Sequence, residues 1–469
     1  MIELNPLRKL FIFSLPLFFI LLCFFAFFIG GKPLSVVSVI VFLGTILLCM
    51  ILLYNKMALL SPMFMFCLLQ LTLYSLNWLP FITTDFLWND TYFDTNSHSI
   101  QNAIVKLNLL ASIWVIVATF THLLFKFDTK WEAIDKNYSF KLIGLIIVAF
   151  SIFSFAFLVS KAGSIIEILI QREITREDRL ASQIGRHWYA LAQTGTLGVA
   201  LWAFSDKLAF KTWYFYPILL LVIVVGFIVS GNRTSIVMSC ILIYAAWVFH
   251  SKKIFSLSVV VMGVLLISVL GLATLIREEG VSSFQNGEAY NNTQINTLTR
   301  IWEIRSERSI SGSASLGVLI SLEDGAPLLL GESYKSILYI PVPSSMLSGT
   351  KPPAGGRLAA YKLSGRTDTA WPINPVIETY WNFGIFGVLI SAVIYGLLSS
   401  IIFSVIKNNF KSTIMIVGYF SYVTLFSVGS DGFYKFFQAA IPLFSLYFFL
   451  LLQNLFKSFI LRSKNYEKR

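Results

Sequence analysis

The stretch NPVIETYWNFGIFGVLISAVIYGLLSSIIFSVI, from Asn374 to Ile406, points to the fold class. It is mostly apolar over more than the roughly 20 residues that a helix needs to cross a hydrocarbon core of about 30 Å. Asn374 and Pro375 suit the N-cap and the first position of a helix. We therefore expect a transmembrane helix over 376–406, with Glu378 in its first turns.

The rest of the chain repeats this apolar pattern. Of its 469 residues, 56% are hydrophobic and 13% are charged, and the mean hydropathy is +0.75, which is far more apolar than a soluble domain. Irregular backbone cannot face lipid, so each long apolar run predicts a helix. We expect an all-α polytopic membrane protein with about twelve transmembrane helices, at 10–29, 34–54, 57–79, 103–125, 140–160, 187–204, 214–230, 235–250, 254–275, 376–406, 412–430 and 433–456.

The charged and sulfur-containing residues exclude other classes. The net charge is +12, but the charges lie in short loops between apolar runs rather than on a basic face, so we expect no nucleic-acid partner. All four cysteines lie inside apolar runs: Cys23, Cys49, Cys67 and Cys240. This placement predicts neither a disulfide nor a cysteine-based metal site.

Lysines orient the predicted bundle. The excess of lysine falls in alternate loops and in the tail from Lys457 to Arg469, which places both termini in the cytoplasm. Three regions follow: helices one to nine over 1–275, with an amphipathic outer segment at 161–186; a large extracytoplasmic loop over 276–375; and the last three helices with a cytoplasmic tail over 376–469.

The outward side carries an unexpected number of arginines. Eleven lie there: Arg172, Arg176, Arg179, Arg186, Arg233, Arg277, Arg300, Arg305, Arg308, Arg357 and Arg366. The planar guanidinium grips phosphate or carboxylate through two hydrogen bonds, which favours an anionic ligand on this side. The alternative is that long translocated loops tolerate charge and that these arginines pair with neighbouring acids.

One group of arginines follows a helical stripe. In SIIEILIQREITREDRLASQIGRHW, residues 164–188, one helical face carries Arg172, Arg176, Arg179 and Arg186, and the opposite face carries Ile166, Ile170, Ile174, Ala181 and Ile184. This pattern predicts a helix on the outer membrane surface. Its arginines either bind ligand or pair with the acids beside them.

Two further segments supply candidate ligand-binding residues. The turn SGNRTS places Arg233 at the mouth of the bundle, where it either joins the anion site or extends towards the headgroups. The Pro-, Gly- and Ser-rich segment PVPSSMLSGTKPPAGGR predicts irregular backbone, in which Gly355 and Gly356 let main-chain amides approach an anion beside Arg357. Lys351 and Arg366 flank that segment.

A carboxylate completes the candidate site. Glu378 in the first turns of a membrane helix is costly unless it is paired or used. It acts either structurally, beside a helix N-terminus or an arginine, or in function, as a general base that activates a sugar hydroxyl or as a hydrogen-bond acceptor that binds sugar. Asp368 is the rival candidate for the catalytic role, and position alone does not separate the two.

The chain resembles the O-antigen polymerase (Wzy) group of repeat-unit polymerases in four features. These are the layout of many membrane spans, the outward GNR turn, the late loop with KPPAGGR, and NPVIETYWNFGIFGV at the start of a helix. The resemblance implies a multi-pass glycosyltransferase of the bacterial inner membrane. It would join undecaprenyl-diphosphate-linked oligosaccharides on the periplasmic face, working with the lipid bilayer, a flippase and a chain-length regulator.

The sequence also departs from that family and leaves rivals. No Asp/His cluster or paired carboxylates suited to bridging a metal are visible, so we expect metal-independent transfer without a cofactor. We expect Arg233, Arg357 and Arg366 on the diphosphate or on acidic sugars, and Glu378 or Asp368 near the acceptor. An O-antigen ligase would carry a His-Asn pair before the helix, where this chain has Ile373-Asn374. A lipid-linked oligosaccharide flippase or an anion exporter is the non-enzyme alternative.

Overall fold

The computed structural model describes residues 33–54, 60–68, 70, 97–125, 127, 140–165, 167–168, 186–230, 233–251, 313–339, 342, 352–365, 371, 373–409 and 412–428. Within these ranges every regular element is a helix, as predicted. We number the helices in chain order: α1 (Pro33–Leu53), α2 (Ser97–Leu124), α3 (Lys141–Ala162), α4 (Arg186–Gln193), α5 (Gly195–Ser205), α6 (Phe215–Ser230), α7 (Arg233–Ser251), α8 (Ser313–Glu323), α9 (Lys335–Leu338), α10 (Gly355–Ser364), α11 (Pro375–Asn408) and α12 (Thr413–Val428). Ala209–Lys211 and Glu332–Tyr334 form 3-10 turns, and residues 62–68 are also helical.

Four of these helices are long and apolar enough to cross a membrane, which indicates a membrane protein. They are Leu34–Leu53, Ser99–Leu124, Lys141–Ala162 and Pro375–Asn408, and each coincides with a predicted span. Shorter apolar helices occupy three more predicted spans. The spans predicted at 10–29, 254–275 and 433–456 lie outside the described residues, as does most of 57–79. The total of about twelve therefore stays a prediction.

Two predicted spans are not single helices. The run predicted at 187–204 is divided at Thr194 into α4 and α5. Helix α11 is broken near its start, where Phe383 (φ −138°, ψ 16°) and Gly384 (φ 61°, ψ −150°) leave the helical region. We call residues 375–382 the half-helix of α11. The prediction of one continuous helix over 376–406 is wrong at this break.

The predicted outer loop contains helices. Helix α8 is apolar, and residues 314–320 within it are all buried. The prediction of irregular backbone up to Arg357 is wrong from Gly355 onward, where α10 begins. Sequence reasoning missed α8 because its apolar run is too short for a membrane span. Runs of that length are typical of buried helices.

The chain divides into two compact units, of which the first contains Met1–Glu132, Glu303–Asn409 and Leu425–Leu451. In this unit α1, α2 and α11 run in the same direction. The Asn108 side chain donates to the Ser38 hydroxyl (2.9 Å), and Thr119 lies beside Cys49 further along both helices. The Trp114 indole donates to the Ser391 hydroxyl (3.0 Å). Further along both helices, the Phe125 carbonyl accepts a hydrogen bond from the Ser400 hydroxyl, so α2 and α11 are parallel.

The second unit contains Ala133–Trp302, Phe410–Thr424 and Leu452–Arg469. Helix α3 runs antiparallel to α4 and α5: Phe157 packs on Trp188 with ring centroids 4.5 Å apart, whereas the Ser151 hydroxyl donates to the carbonyl of Ala192, later in the chain (2.6 Å). Helix α7 runs parallel to α5, since Thr196 bonds Ser239 (2.7 Å) and the Ala203 carbonyl bonds His250 (2.8 Å).

These directions match the predicted alternation of crossings within each unit. The predicted second, fourth and tenth spans cross in one direction, and they correspond to the parallel helices α1, α2 and α11. The predicted fifth and sixth spans cross in opposite directions, as α3 and α5 do. The agreement concerns relative direction alone, so the cytoplasmic location of the termini stays a prediction.

Candidate functional site

Glu378 lies on the half-helix of α11, and the sequence correctly predicted how that segment begins. The Asn374 side-chain oxygen accepts a hydrogen bond from the Val376 amide (2.9 Å), and Pro375 occupies the first helical position. The Asn374 amide in turn donates to the Ser315 hydroxyl on α8 (2.9 Å). The start of the half-helix is thus fixed by its own cap and by α8.

The half-helix is buried on several faces, unlike a membrane helix with one side in lipid. Glu378 is 1% exposed, and Ile377, Thr379 and Trp381 beside it are also buried. A charged carboxylate in such a place requires compensating polar groups. The surroundings of Glu378 therefore decide what it can do.

Helix α10 covers the Glu378 carboxylate. Gly355, the first residue of α10, lies so close that a side-chain carbon there would collide with a carboxylate oxygen of Glu378. The contact brings the positive end of the α10 dipole to the carboxylate. The amide of Trp371 also donates to the Gly356 carbonyl (2.9 Å), which ties α10 to the chain just before the half-helix.

The break after the half-helix is held by a neighbouring loop. The amides of Leu329 and Leu330 donate to the carbonyls of Trp381 (3.0 Å) and Asn382 (3.1 Å). These two carbonyls immediately precede the break at residues 383–384, so the loop takes over acceptors that an unbroken helix would use.

The Asn382 side chain makes three hydrogen bonds, two to the same loop and one to its own half-helix. Its oxygen accepts from the Gly331 amide (2.9 Å), and its nitrogen donates to the Ser333 hydroxyl (2.9 Å) and to the Glu378 carbonyl (2.8 Å). Asn382 is 0% exposed, so each of these bonds replaces water that the side chain has lost. Asn382 thereby connects the loop to the residue that carries the candidate carboxylate.

Tyr334 lies in the same loop and experiences the charge of Glu378. Burial raises the pKa of the Tyr334 phenol, and the Glu378 carboxylate raises that pKa further. Both effects disfavour a second negative charge. The phenol therefore stays neutral at physiological pH.

Lys106 on α2 contacts the other side of the half-helix. Its ammonium lies 3.3 Å from a carboxylate oxygen of Glu323 and 5.2 Å above the centroid of the Tyr380 ring. It thus joins α2, the end of α8 and the half-helix through an ion pair and a cation–π contact.

The structure brings together three of the predicted site residues. Glu378 lies on the half-helix and Asn374 is its N-cap, and Arg357 lies on the first turn of α10, two residues after Gly355, with an exposed side chain. Arg233 begins α7 in the second unit. The remaining candidates lie outside the described residues: Asp368, Arg366, Lys351, Arg172, Arg176 and Arg179.

Sequence reasoning missed Asn382, Tyr334 and α8 as parts of this site. The polar Asn382 four residues after Glu378 in an apolar run was a usable signal, because an amide at membrane depth requires partners. The closeness of Tyr334 and Gly355 to Glu378 depends on tertiary packing and left no local signal.

A comparison of the chain with family models, curated proteins and solved structures found no match in any of the three.

Proposed function

We propose that this chain joins undecaprenyl-diphosphate-linked oligosaccharide repeat units into O-antigen or a related surface polysaccharide, at the periplasmic face of a bacterial inner membrane. The observation that supports this best is the buried carboxylate of Glu378, which lies on a helix segment before a membrane span and beside the arginine-bearing start of α10. A positioned carboxylate with an arginine nearby is what transfer from a diphosphate carrier requires.

In the proposed reaction, Glu378 removes the proton from a sugar hydroxyl of the incoming repeat unit. The hydroxyl oxygen then attacks the anomeric carbon of the growing chain, and the bond between that carbon and the carrier diphosphate breaks. The proton remains on Glu378 and the carrier leaves as lipid diphosphate. Arg357 binds the charge of this leaving group, with Arg233, Arg366 and Lys351 as further candidates. Asp368 is the alternative base, and Arg172, Arg176 and Arg179 are candidates for acidic sugars.

Access to the carboxylate requires movement of α10. Because Gly355 covers Glu378, an acceptor hydroxyl reaches the carboxylate only after the start of α10 shifts. The exposed ion pair between Lys362 and Glu332 (3.4 Å) is a weak link that such a shift would break at little cost. Binding of the diphosphate to Arg357 would favour the shift, because Arg357 lies on the same first turn.

The position of the helix break favours a transferase over a carrier. Carriers place broken helices and their ligands near the middle of the membrane. Here the break falls after the half-helix, and Ile385–Asn408 alone would be about 36 Å long, enough to cross the bilayer. The candidate carboxylate therefore lies at one end of the span.

Lipid-linked intermediates in cells that lack this protein test the proposal. A polymerase predicts single lipid-linked repeat units that accumulate on the periplasmic face. Units retained on the cytoplasmic face would indicate a flippase, and long lipid-linked polymer left unattached would indicate a ligase. Either of these results would overturn the proposal.

Complementation with variants then tests the residues. We expect Glu378→Gln to restore no polymer and Arg357→Ala to reduce polymer yield, with Arg357→Lys intermediate because lysine keeps the charge but loses the two-point fork. The matched control is Ser364→Ala, an exposed position on the same helix whose hydroxyl donates to the local Ala360 carbonyl (2.8 Å), and it should leave polymer yield unchanged. Full polymer from Arg357→Ala at normal protein level would remove Arg357 from the site.

A further inference from the structure

Large apolar side chains are exposed around the break in α11, and some of them belong to the predicted aqueous loop. Leu328, Leu330 and Leu338 lie in the segment between α8 and α10, and Phe383 and Phe386 flank the break. Their exposed fractions are 41%, 77%, 75%, 43% and 72%. We call these five residues the apolar shoulder. Exposed apolar surface of this kind marks an interaction site.

The shoulder is continuous with the outward face of the membrane span. Leu330 bonds the backbone of Asn382, directly before Phe383, and a side-chain carbon at Gly331 would lie 3.4 Å from the Phe383 ring. Phe386 starts a row at helical spacing with Ile390 and Ile394, whose exposed fractions are 60% and 43%. A helix long enough to cross a membrane turns such a row towards lipid.

The backbone of the loop meets the condition that lipid imposes. Irregular backbone is tolerated at membrane depth only where its polar groups are paired within the protein. The amides of Leu329, Leu330 and Gly331 all donate to residues 381–382, and those of Glu332 and Tyr334 donate to carbonyls within the loop. The loop thus satisfies these donors internally and leaves its leucines outward.

Leu330 also has an unusual conformation. Its φ of 50° is the positive φ recorded for a residue other than glycine in the described part of the chain, and its side chain is 77% exposed. A leucine in the left-handed region is strained, and glycine or asparagine is the ordinary choice there. If the Leu330 side chain lay in water, nothing would offset the free-energy cost of this strained backbone. Contact of the side chain with hydrocarbon would offset it.

The charged residues of the loop limit how deeply it inserts. Glu332 pairs with Lys362 on α10, and Lys335 is exposed three residues before Leu338. A lysine at this position reaches the headgroup phosphates while its methylene carbons stay in the apolar layer. The arrangement fits the boundary between hydrocarbon and headgroups.

From this geometry we propose that the apolar shoulder inserts into the hydrocarbon of the adjacent bilayer leaflet and that acyl chains of the membrane lipids cover it. The segment around Leu328–Leu338 is then a membrane-embedded part of the predicted outer loop, and the half-helix that carries Glu378 lies beside the lipid boundary. This inference stands on exposure and backbone pairing and does not depend on the proposed enzymatic function.

Spin labels on the full-length protein in vesicles of phosphatidylethanolamine and phosphatidylglycerol test the proposal. After replacement of the four native cysteines by alanine, single labels are placed at Leu330→Cys and Leu338→Cys. Ile390→Cys on the span is the lipid-exposed control and Ser364→Cys on α10 is the water-exposed control. The measurement is the ratio of collision rates with molecular oxygen, which concentrates in lipid, and with a water-soluble nickel complex.

We expect both shoulder labels to give an oxygen-to-nickel ratio well above that at Ser364 and below or equal to that at Ile390, which lies further along the span. A ratio equal to that at Ser364 would place the shoulder in water and overturn the proposal. Low collision rates with both probes would show that protein covers the shoulder, which would equally overturn lipid as its occupant. Each label site reports separately, so failure of one variant to fold leaves the other decisive.

Discussion

Glu378 is a buried carboxylate whose lost hydration is offset by a specific neighbouring helix. The side chain is 1% exposed, and burial of an uncompensated carboxylate would cost several kcal/mol. The start of α10 compensates by presenting its amide end at Gly355. This contact holds the carboxylate in one position, which suits both the structural and the catalytic role considered for Glu378.

Gly355→Ala tests this contact. The added methyl group would collide with the Glu378 carboxylate and displace α10, so we expect a loss of about 1–3 kcal/mol of stability, as for other overpacked sites. The control is Gly44→Ala in α1, where a side-chain carbon has no neighbour within 4 Å and alanine should be neutral or stabilising. The thermal midpoint of the purified protein in detergent is the readout. Equal midpoints for Gly355→Ala and wild type would contradict the contact.

Asn382 carries the second prediction at the residue scale. Asn382→Ala removes three buried hydrogen bonds and should cost about 2–4 kcal/mol. Asn382→Asp retains the acceptor for the Gly331 amide but loses both donated bonds, and it should also destabilise the protein. Ser321→Ala, which removes one local bond to the Val318 carbonyl, is the control and should have a smaller effect. If Asn382→Ala unfolds at the wild-type temperature, the hydrogen bonds of Asn382 do not hold the loop.

At the scale of elements, the sequence predicted the start of α11 and missed its break. Asn374 and Pro375 act locally, through a side-chain cap and a fixed φ, so their role was visible in the sequence. The break at residues 383–384 depends on Leu329 and Leu330, which lie more than fifty positions earlier. Their amides donate to the carbonyls of residues 381 and 382, which the break leaves without helical partners. Long-range pairing of this kind leaves no periodic signal.

Gly384 tests whether the break is part of the native fold. Its φ of 61° and ψ of −150° fall in a region that is essentially restricted to glycine, so Gly384→Asn should cost about 1–3 kcal/mol. Gly365 ends α10 with φ 70° and ψ 4°, a left-handed conformation that asparagine tolerates. Gly365→Asn is therefore the control and should have little effect. Similar thermal midpoints for both variants would show that α11 does not require the break.

For the whole molecule, the order and direction of the helices were predictable and their partners were not. Apolar runs predicted the positions of α1, α2, α3 and α11, and strict alternation across a bilayer predicted the relative directions of the helices within each unit. Composition carries no information about which helices pack together. The packing of α8 against the half-helix, through Ser315 and Asn374, became apparent only in the structure.

Cysteine labelling tests the absolute orientation. Lysine placement predicts that Ser364 faces the periplasm and Lys407 the cytoplasm. In cells whose protein lacks the four native cysteines, a membrane-impermeant maleimide should label Ser364→Cys in intact spheroplasts and Lys407→Cys only after permeabilisation. The reverse pattern would invert the orientation and place the Glu378 site on the cytoplasmic side.

Reconstitution most directly tests the proposed role of Glu378 as the base of a lipid-linked glycosyl transfer. The purified full-length protein in liposomes, supplied with the purified lipid-linked repeat unit, should produce a ladder of longer glycans with or without a chelator. Glu378→Gln, shown to be folded by an unchanged thermal midpoint, should produce none. A wild-type ladder from Glu378→Gln would contradict the account.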